Sequence, residues 1–270
     1  FLWTTIMFYL AKFYTDVYGL PAAAAGTMFL VVKLFDAAND PIMGAIADRT
    51  NTKWGKFRPY LIWASGPLAI IGVLAFLTPN LSPVGKLVYA YVTFTLIKMA
   101  YTAVNIPYSA LLGVLSPSTQ VRTGVSSYRF ALAFAGMFLV QGLTLPLVKL
   151  FGGGNQALGF PITMAVYGVL AIGLFYITFA TKKERVQPMA SQQTTLKKDL
   201  NDLLHNRPWM ILLVMGIFTL GYIIIRGGTV IYYFKYVINN EIQAGLFMTL
   251  GTAAVIAGVL CTQFFSKLFG

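Results

Sequence analysis

Two carboxylates stand where an apolar helix should have none. Asp36 and Asp40 lie four residues apart in Lys33-Leu34-Phe35-Asp36-Ala37-Ala38-Asn39-Asp40-Pro41, in a 270-residue chain with only eight acidic residues. A charge in hydrocarbon costs several kcal/mol unless it is partnered, so an intramembrane acid marks a site until shown otherwise. On a helix, positions i and i+4 leave one face, and Lys33 sits a turn earlier on it. Carboxylates joined by amide, hydroxyl and carbonyl oxygens suit a hard cation such as Na+ or Li+; a protonatable pair suits H+. Asn39 adds an amide. Pro41 removes one backbone hydrogen bond, so a local break with a freed carbonyl is expected beside the acids. The same residues also fit a packing network in which Lys33 neutralises the pair.

A second polar face follows. Lys98, Tyr101, Thr102, Asn105 and Ser109 recur at helical spacing. Lys98 falls near mid-membrane and needs a carboxylate, with Asp36 and Asp40 the natural partners. Thr102 can lend a hydroxyl to a cation, and Asn105 and Tyr101 can bond a sugar hydroxyl. Interhelical glue is the alternative. Arg129, about six residues into the next helix, can fork onto paired hydroxyls or an acid, or snorkel to the interface. Arg226, followed by Gly227 and Gly228, loosens a later helix and can join the charge network. Asp48, Arg49, Lys56 and Arg58 cluster in a polar loop. The sequence contains no phosphate loop, no nucleophile elbow and no His/Cys metal cluster, so no cofactor is expected. A metal would be the coupling ion itself, Na+ on Asp36 and Asp40.

The elements that position these residues are long and apolar. Hydrophobic residues make up 57% of the chain and charged residues 10%, with a mean hydropathy of +0.72. Runs of about 20 apolar residues recur throughout, predicting an all-α, multi-pass membrane protein. About eight helices are expected: 1–13, 22–47, 59–77, 85–111, 123–150, 158–180, 208–237 and 242–265. Residues 14–21 read as a loop. The polar segment 181–207 reads as a linker, with 196–204 amphipathic along the membrane surface. The chain thus divides into a six-helix bundle (1–180), the linker, and the start of a second bundle (208–270). The first helix opens without a polar leader, which suggests a fragment. Placing the 48–58 loop in the cytoplasm puts twelve basic residues on that side against three on the other, so the linker is cytoplasmic. At ~1.5 Å per residue, Asp36 lies roughly 20 Å below the outer end of its helix. The net charge of +12 is topogenic, and nucleic-acid binding is excluded on that basis.

Phe35-Asp36-Ala37-Ala38-Asn39-Asp40-Pro41 with Trp54-Gly55-Lys56-Phe57-Arg58-Pro59 resembles the glycoside–pentoside–hexuronide:cation symporter family of the major facilitator superfamily, which includes the melibiose permease. Tyr14-Thr15-Asp16, Tyr101 to Tyr108, Tyr128-Arg129-Phe130 and Thr181 to Val186 agree, the last resembling the glucuronide and xyloside branch. The resemblance implies two six-helix bundles around a central site, with the first helix incomplete here and the last four missing. It implies cation ligands at Asp36, Asp40, Asn39 and Thr102, a basic residue at Lys33, and sugar contacts at Asn105 and Arg129. It implies a cytoplasmic latch at Asp48-Arg49 and the basic loop, and a bacterial inner-membrane location. Asn105 replaces the melibiose permease's acid and Ser109 its stacking tryptophan, which argues against a galactoside. The implied function is symport of a glycoside, pentoside or hexuronide with Na+, Li+ or H+. Two rivals remain: a cation-coupled lipid carrier of the same fold, and a membrane prenyltransferase, suggested by Asn39-Asp40 and Asp48.

Overall fold

The computed structural model describes residues 1–182, 184, 196–238 and 241–269, and every element of three residues or more among them is helical. Residues 1–187 with 263–270 form one compact unit and 188–262 another. In the first, α1 (Leu2–Lys12) runs on through a π-helical turn, Phe13–Val17. It is followed by α2 (Ala22–Arg49), α3 (Arg58–Trp63), α4 (Ser65–Leu74), α5 (Pro83–Leu115), α6 (Thr119–Gly152) and α7 (Gln156–Thr181). In the second, α8 (Leu196–His205) is the expected amphipathic helix, and α9 (Arg207–Tyr236) packs against it. The last helix is α10 (Glu241–Phe269).

Helix starts follow from capping chemistry. Ser82, Ser118, Asn155 and Asn206 each accept a backbone N–H from the first turn of α5, α6, α7 and α9 respectively. Each oxygen satisfies a donor that the helix itself cannot. Gly153, at φ +55°, ends α6 in the left-handed conformation that glycine adopts most readily.

Four expectations need correction. The 59–77 helix is two helices, broken at Ala64. Pro67 cannot donate to the Trp63 carbonyl, and the Ser65 hydroxyl donates to the Ile62 carbonyl at 3.1 Å. Residues 14–17 are not loop: the Tyr18 N–H donates to the Phe13 carbonyl at 2.9 Å, widening the helix instead of ending it. Pro41 does not break α2, and the backbone of α9 is helical through 226–228. One missing bond is tolerated in a membrane helix.

The first unit's core is a stack of rings and aliphatics. Phe13, Phe76 and Phe160 meet with ring centroids 5.0–5.5 Å apart, joined by Leu10, Met28, Leu61, Ile97 and Met164, all fully buried. Outward positions are apolar too: Leu34, Leu132, Phe138 and Val169 are exposed. Apolar residues inside and outside are what lipid demands of a helix bundle. By length and composition α2, α5, α6 and α7 can each cross a membrane.

Small residues set the tightest contacts. A Cβ at Gly159 of α7 would collide with the Val148 carbonyl of α6, and one at Gly168 would lie 3.0 Å from the Ala69 Cβ of α4. A Cβ at Gly72 of α4 would sit 3.3 Å from the Met164 methyl of α7. Elsewhere α2 packs along α5, and there a Cβ at Gly44 would find its nearest neighbour, Ile106, at 4.0 Å.

Candidate functional site

Two helices with the same spacing lie side by side. Position 36 of α2 faces 98 of α5, and 40 faces 102, so both polar pairs fall one turn apart. The Lys98 ammonium donates to Asp36 Oδ2 at 2.7 Å. The Thr102 hydroxyl lies 2.9 Å from Asp40 Oδ1 and 3.3 Å from Asp36 Oδ1. Its single proton can serve only one carboxylate well at a time, and the shorter contact favours Asp40. Lys98 and Thr102 are buried, at 6% and 3% exposure. This is the only ion pair among the described residues. A charged pair withdrawn from water needs this geometry to offset desolvation.

The hydrogen bonds of the cluster leave a compact donor set. Asp36 Oδ1, Asp40 Oδ1 and Thr102 Oγ1 converge within 3.3 Å of the hydroxyl, a set of hard oxygens suited to a small monovalent cation. The geometry suits a proton equally, since the two carboxylates share one donor. Asn39 is half-buried next to this set and makes no side-chain hydrogen bond among the described residues.

A second cluster follows along α5 and α6. The Arg129 guanidinium donates to Ser109 Oγ at 3.0 Å and lies over the Tyr108 ring at 4.6 Å. Tyr108 in turn meets Phe175 edge-on. Tyr101 stacks on Trp3 at 4.1 Å with the rings 15° apart, and the Lys98 ammonium sits 4.3 Å from the Trp3 ring. Asn105 is half-buried on the same face of α5, its amide unpaired among the described residues. Flat aromatic faces beside a guanidinium and a free amide are the recurring means of holding a polyhydroxylated ligand.

The expected residues do not all meet. Lys33 is exposed and forms no ion pair among the described residues, so the neutralising role falls to Lys98. The 36/40 row continues through Val32, which is 2% exposed, and Lys33, one residue further on, is rotated about 100° from it. The Arg226 side chain lies outside the described residues, as do Lys183 and Arg185. Asp48 and Arg49 are exposed at the end of α2 and unpaired among the described residues.

The basic loop instead closes on an acid that sequence reasoning passed over. The Glu184 carboxylate accepts the backbone N–H groups of Lys56, Phe57 and Arg58 at 2.9, 2.8 and 3.1 Å. Successive N–H groups at the start of α3 form an anion cradle. Arg58 reaches from the loop to the Phe179 carbonyl at 2.6 Å and to the Trp54 carbonyl at 3.2 Å, lying over the Phe179 ring at 4.7 Å. Gly55 permits this approach: its φ is +107°, and a Cβ there would come 2.5 Å from the carboxylate. The available signal was Gly55 just ahead of a helix start. Trp3 was missed because aromatics abound here, and Tyr108 for the same reason.

Comparison with known proteins adds the following. Residues 1–270 match the family model described as MFS/sugar transport protein. The chain is 41% identical over 270 residues to "Putative glycoside/cation symporter YagG" of Escherichia coli K12, covering 100% of this chain and 58% of that protein. It is 41% identical over 269 residues to "Inner membrane symporter YicJ" of the same organism, covering 100% of this chain and 56% of the other. An isoprimeverose transporter of Lactiplantibacillus pentosus is 38% identical over 266 residues, with 97% and 55% covered. The chain thus spans somewhat more than half the length of the relatives it matches. All three are named as transporters, which sets the prenyltransferase reading aside.

Proposed function

We propose, for a chain that belongs to the MFS/sugar transport protein family and to its glycoside–pentoside–hexuronide:cation symporters, that its parent protein couples uptake of a small sugar to a monovalent cation. The chain is a multi-pass membrane protein and a transporter segment, not an enzyme. The observation that carries the proposal is the Asp36–Thr102–Asp40 oxygen set, half-buried between apolar helices and charge-compensated by Lys98.

The mechanism follows from that set. A cation, Na+, Li+ or H+, binds Asp36 and Asp40, with the Thr102 hydroxyl turning its lone pair inward and Asn39 alongside. The sugar, a glycoside, pentoside or hexuronide, lies against the Tyr101–Trp3 stack and bonds Asn105 and Arg129. Thr102 is less than one turn of α5 from Asn105 and about two turns from Ser109, so charge neutralisation at one set of contacts changes the field at the other. Each ligand then raises the other's affinity, as linkage requires. On this reading residues 1–180 and 208–270 belong to two bundles joined by a cytoplasmic linker, and rocking of the bundles would give alternating access in the inner membrane. Inward movement of one charge gains ~2.3 kcal/mol per 100 mV, enough for about fifty-fold accumulation. Sugar is preferred over lipid because two relatives bear glycoside or isoprimeverose in their names.

Uptake into vesicles carrying the full-length protein tests this. Asp36→Asn is expected to abolish cation stimulation of sugar uptake. Unchanged stimulation would overturn the assignment.

A further inference from the structure

We propose that Lys98 is a tethered competitor of the coupling cation, and that it sets how tightly and how selectively that cation binds. The inference rests on the reading of Asp36 and Asp40 as the cation site. Three observations carry it. The ammonium is not near the site but on it: Nζ holds Asp36 Oδ2 at 2.7 Å, while the other oxygen of the same carboxylate belongs to the Thr102–Asp40 set. Among the described residues no other basic group pairs with these acids, and Lys33, the second amine on this stretch, is exposed. The ammonium already has a second partner, the face of Trp3, with which it is in contact at 4.3 Å while it holds Asp36.

Charge counting gives the consequence. Two carboxylates and one ammonium leave a net charge of −1, so one monovalent cation neutralises the cluster completely. Its attraction is that of one uncompensated acid, not two. For the cation to use both carboxylates, the ammonium must give up Asp36, and the Trp3 ring it already faces stays as its remaining partner. Trp3 is stacked on Tyr101. Release from Asp36 therefore leaves the ammonium at the Trp3–Tyr101 platform with a donor free, which a sugar hydroxyl can accept. Lys98 is then both the brake on cation affinity and the part that moves when the brake is released.

The test is direct cation binding to the purified full-length protein, read by titration calorimetry with NaCl and LiCl. Lys98→Met removes the competitor and is expected to tighten Na+ binding at least tenfold. Lys98→Gln, neutral but still a hydrogen-bond donor to Asp36, is expected to tighten it as well and serves if the methionine variant does not fold. Lys98→Arg, which keeps the charge, is expected to bind no more tightly than wild type. Unchanged or weaker Na+ and Li+ affinity in the folded neutral variants overturns the proposal. Asp40→Asn separates the two layers of inference: loss of binding there together with no gain in the Lys98 variants leaves the cation site standing and rejects the competitor. Binding retained in Asp40→Asn rejects the carboxylate site, and the proposal with it.

Discussion

Removing Glu184 should open the cradle that pins the 52–58 loop. Three N–H groups, of Lys56, Phe57 and Arg58, share its carboxylate at 2.8–3.1 Å. A hydrogen bond to a charged group contributes ~1.5–3 kcal/mol. Three such bonds do not add, because the carboxylate is half-exposed and the freed amides rehydrate, so one bond's worth is the right scale for local opening. At ~1.4 kcal/mol per tenfold, Glu184→Ala should speed amide exchange of Lys56–Arg58 by about ten- to hundredfold. Hydrogen–deuterium exchange with peptide-level mass spectrometry on the full-length protein reads this directly. Glu184→Gln keeps an acceptor oxygen and should show a smaller rise. Gly55→Ala offers an independent route to the same state, since its Cβ would stand 2.5–2.6 Å from the carboxylate atoms and must expel them. The Gly55→Ala/Glu184→Ala double variant should then exchange no faster than Gly55→Ala alone. Unchanged protection in Glu184→Ala, or fully additive effects in the double variant, would refute the cradle as the loop's anchor.

Other outcomes follow from single contacts. Thr102→Ala deletes the hydroxyl shared by Asp36 and Asp40 and should weaken cation-stimulated uptake at least tenfold while the protein still elutes as a folded species. Arg58→Lys keeps the charge but loses the two-pronged reach to Trp54 and Phe179, and should lower stability by about 1–2 kcal/mol, seen as an earlier thermal transition in detergent. Gly159→Ala drives a Cβ into the Val148 carbonyl and should cost roughly 3 kcal/mol or more, with loss of the monodisperse peak in size exclusion.

The carboxylate site was legible because hydrocarbon makes every acid conspicuous. Asp36, Asp40, Lys98 and Thr102 could be gathered from spacing alone, and the structure brings them within hydrogen-bond reach of one another. Lys98 was read as a partner of Asp36 or Asp40, and it pairs with Asp36; that Lys33 takes no part was not legible. Lys33 is near in sequence, whereas Lys98 is near only after α2 has packed on α5, and tertiary packing has no local signature. Helix limits were readable to within a few residues wherever Ser or Asn caps them. The break at Ala64 was missed because an apolar run reads as one helix unless the proline's lost donor is counted. Glu184 was hidden among lysines and arginines in a stretch that reads as topogenic charge, though its carboxylate binds backbone, which no side-chain pattern reveals.

The glycine contacts decide where this bundle can give. Between α6 and α7, at Gly159 against Val148 and Gly152 against Gly159, the chains touch backbone to backbone, with no rotamer between them to adjust. Such a slab is stiff: sliding by an ångström would drive main-chain atoms into one another. Between α2 and α5 the filler is side chains, with a van der Waals gap at Gly44 and Ile106, and side chains can re-pack. Any shift along the chain's long helices is therefore expected at the α2–α5 seam, the compliant joint that also carries Asp36, Asp40, Lys98 and Thr102. Ion occupancy and mechanical freedom meet at the same few residues, so binding can be felt as movement without a separate relay.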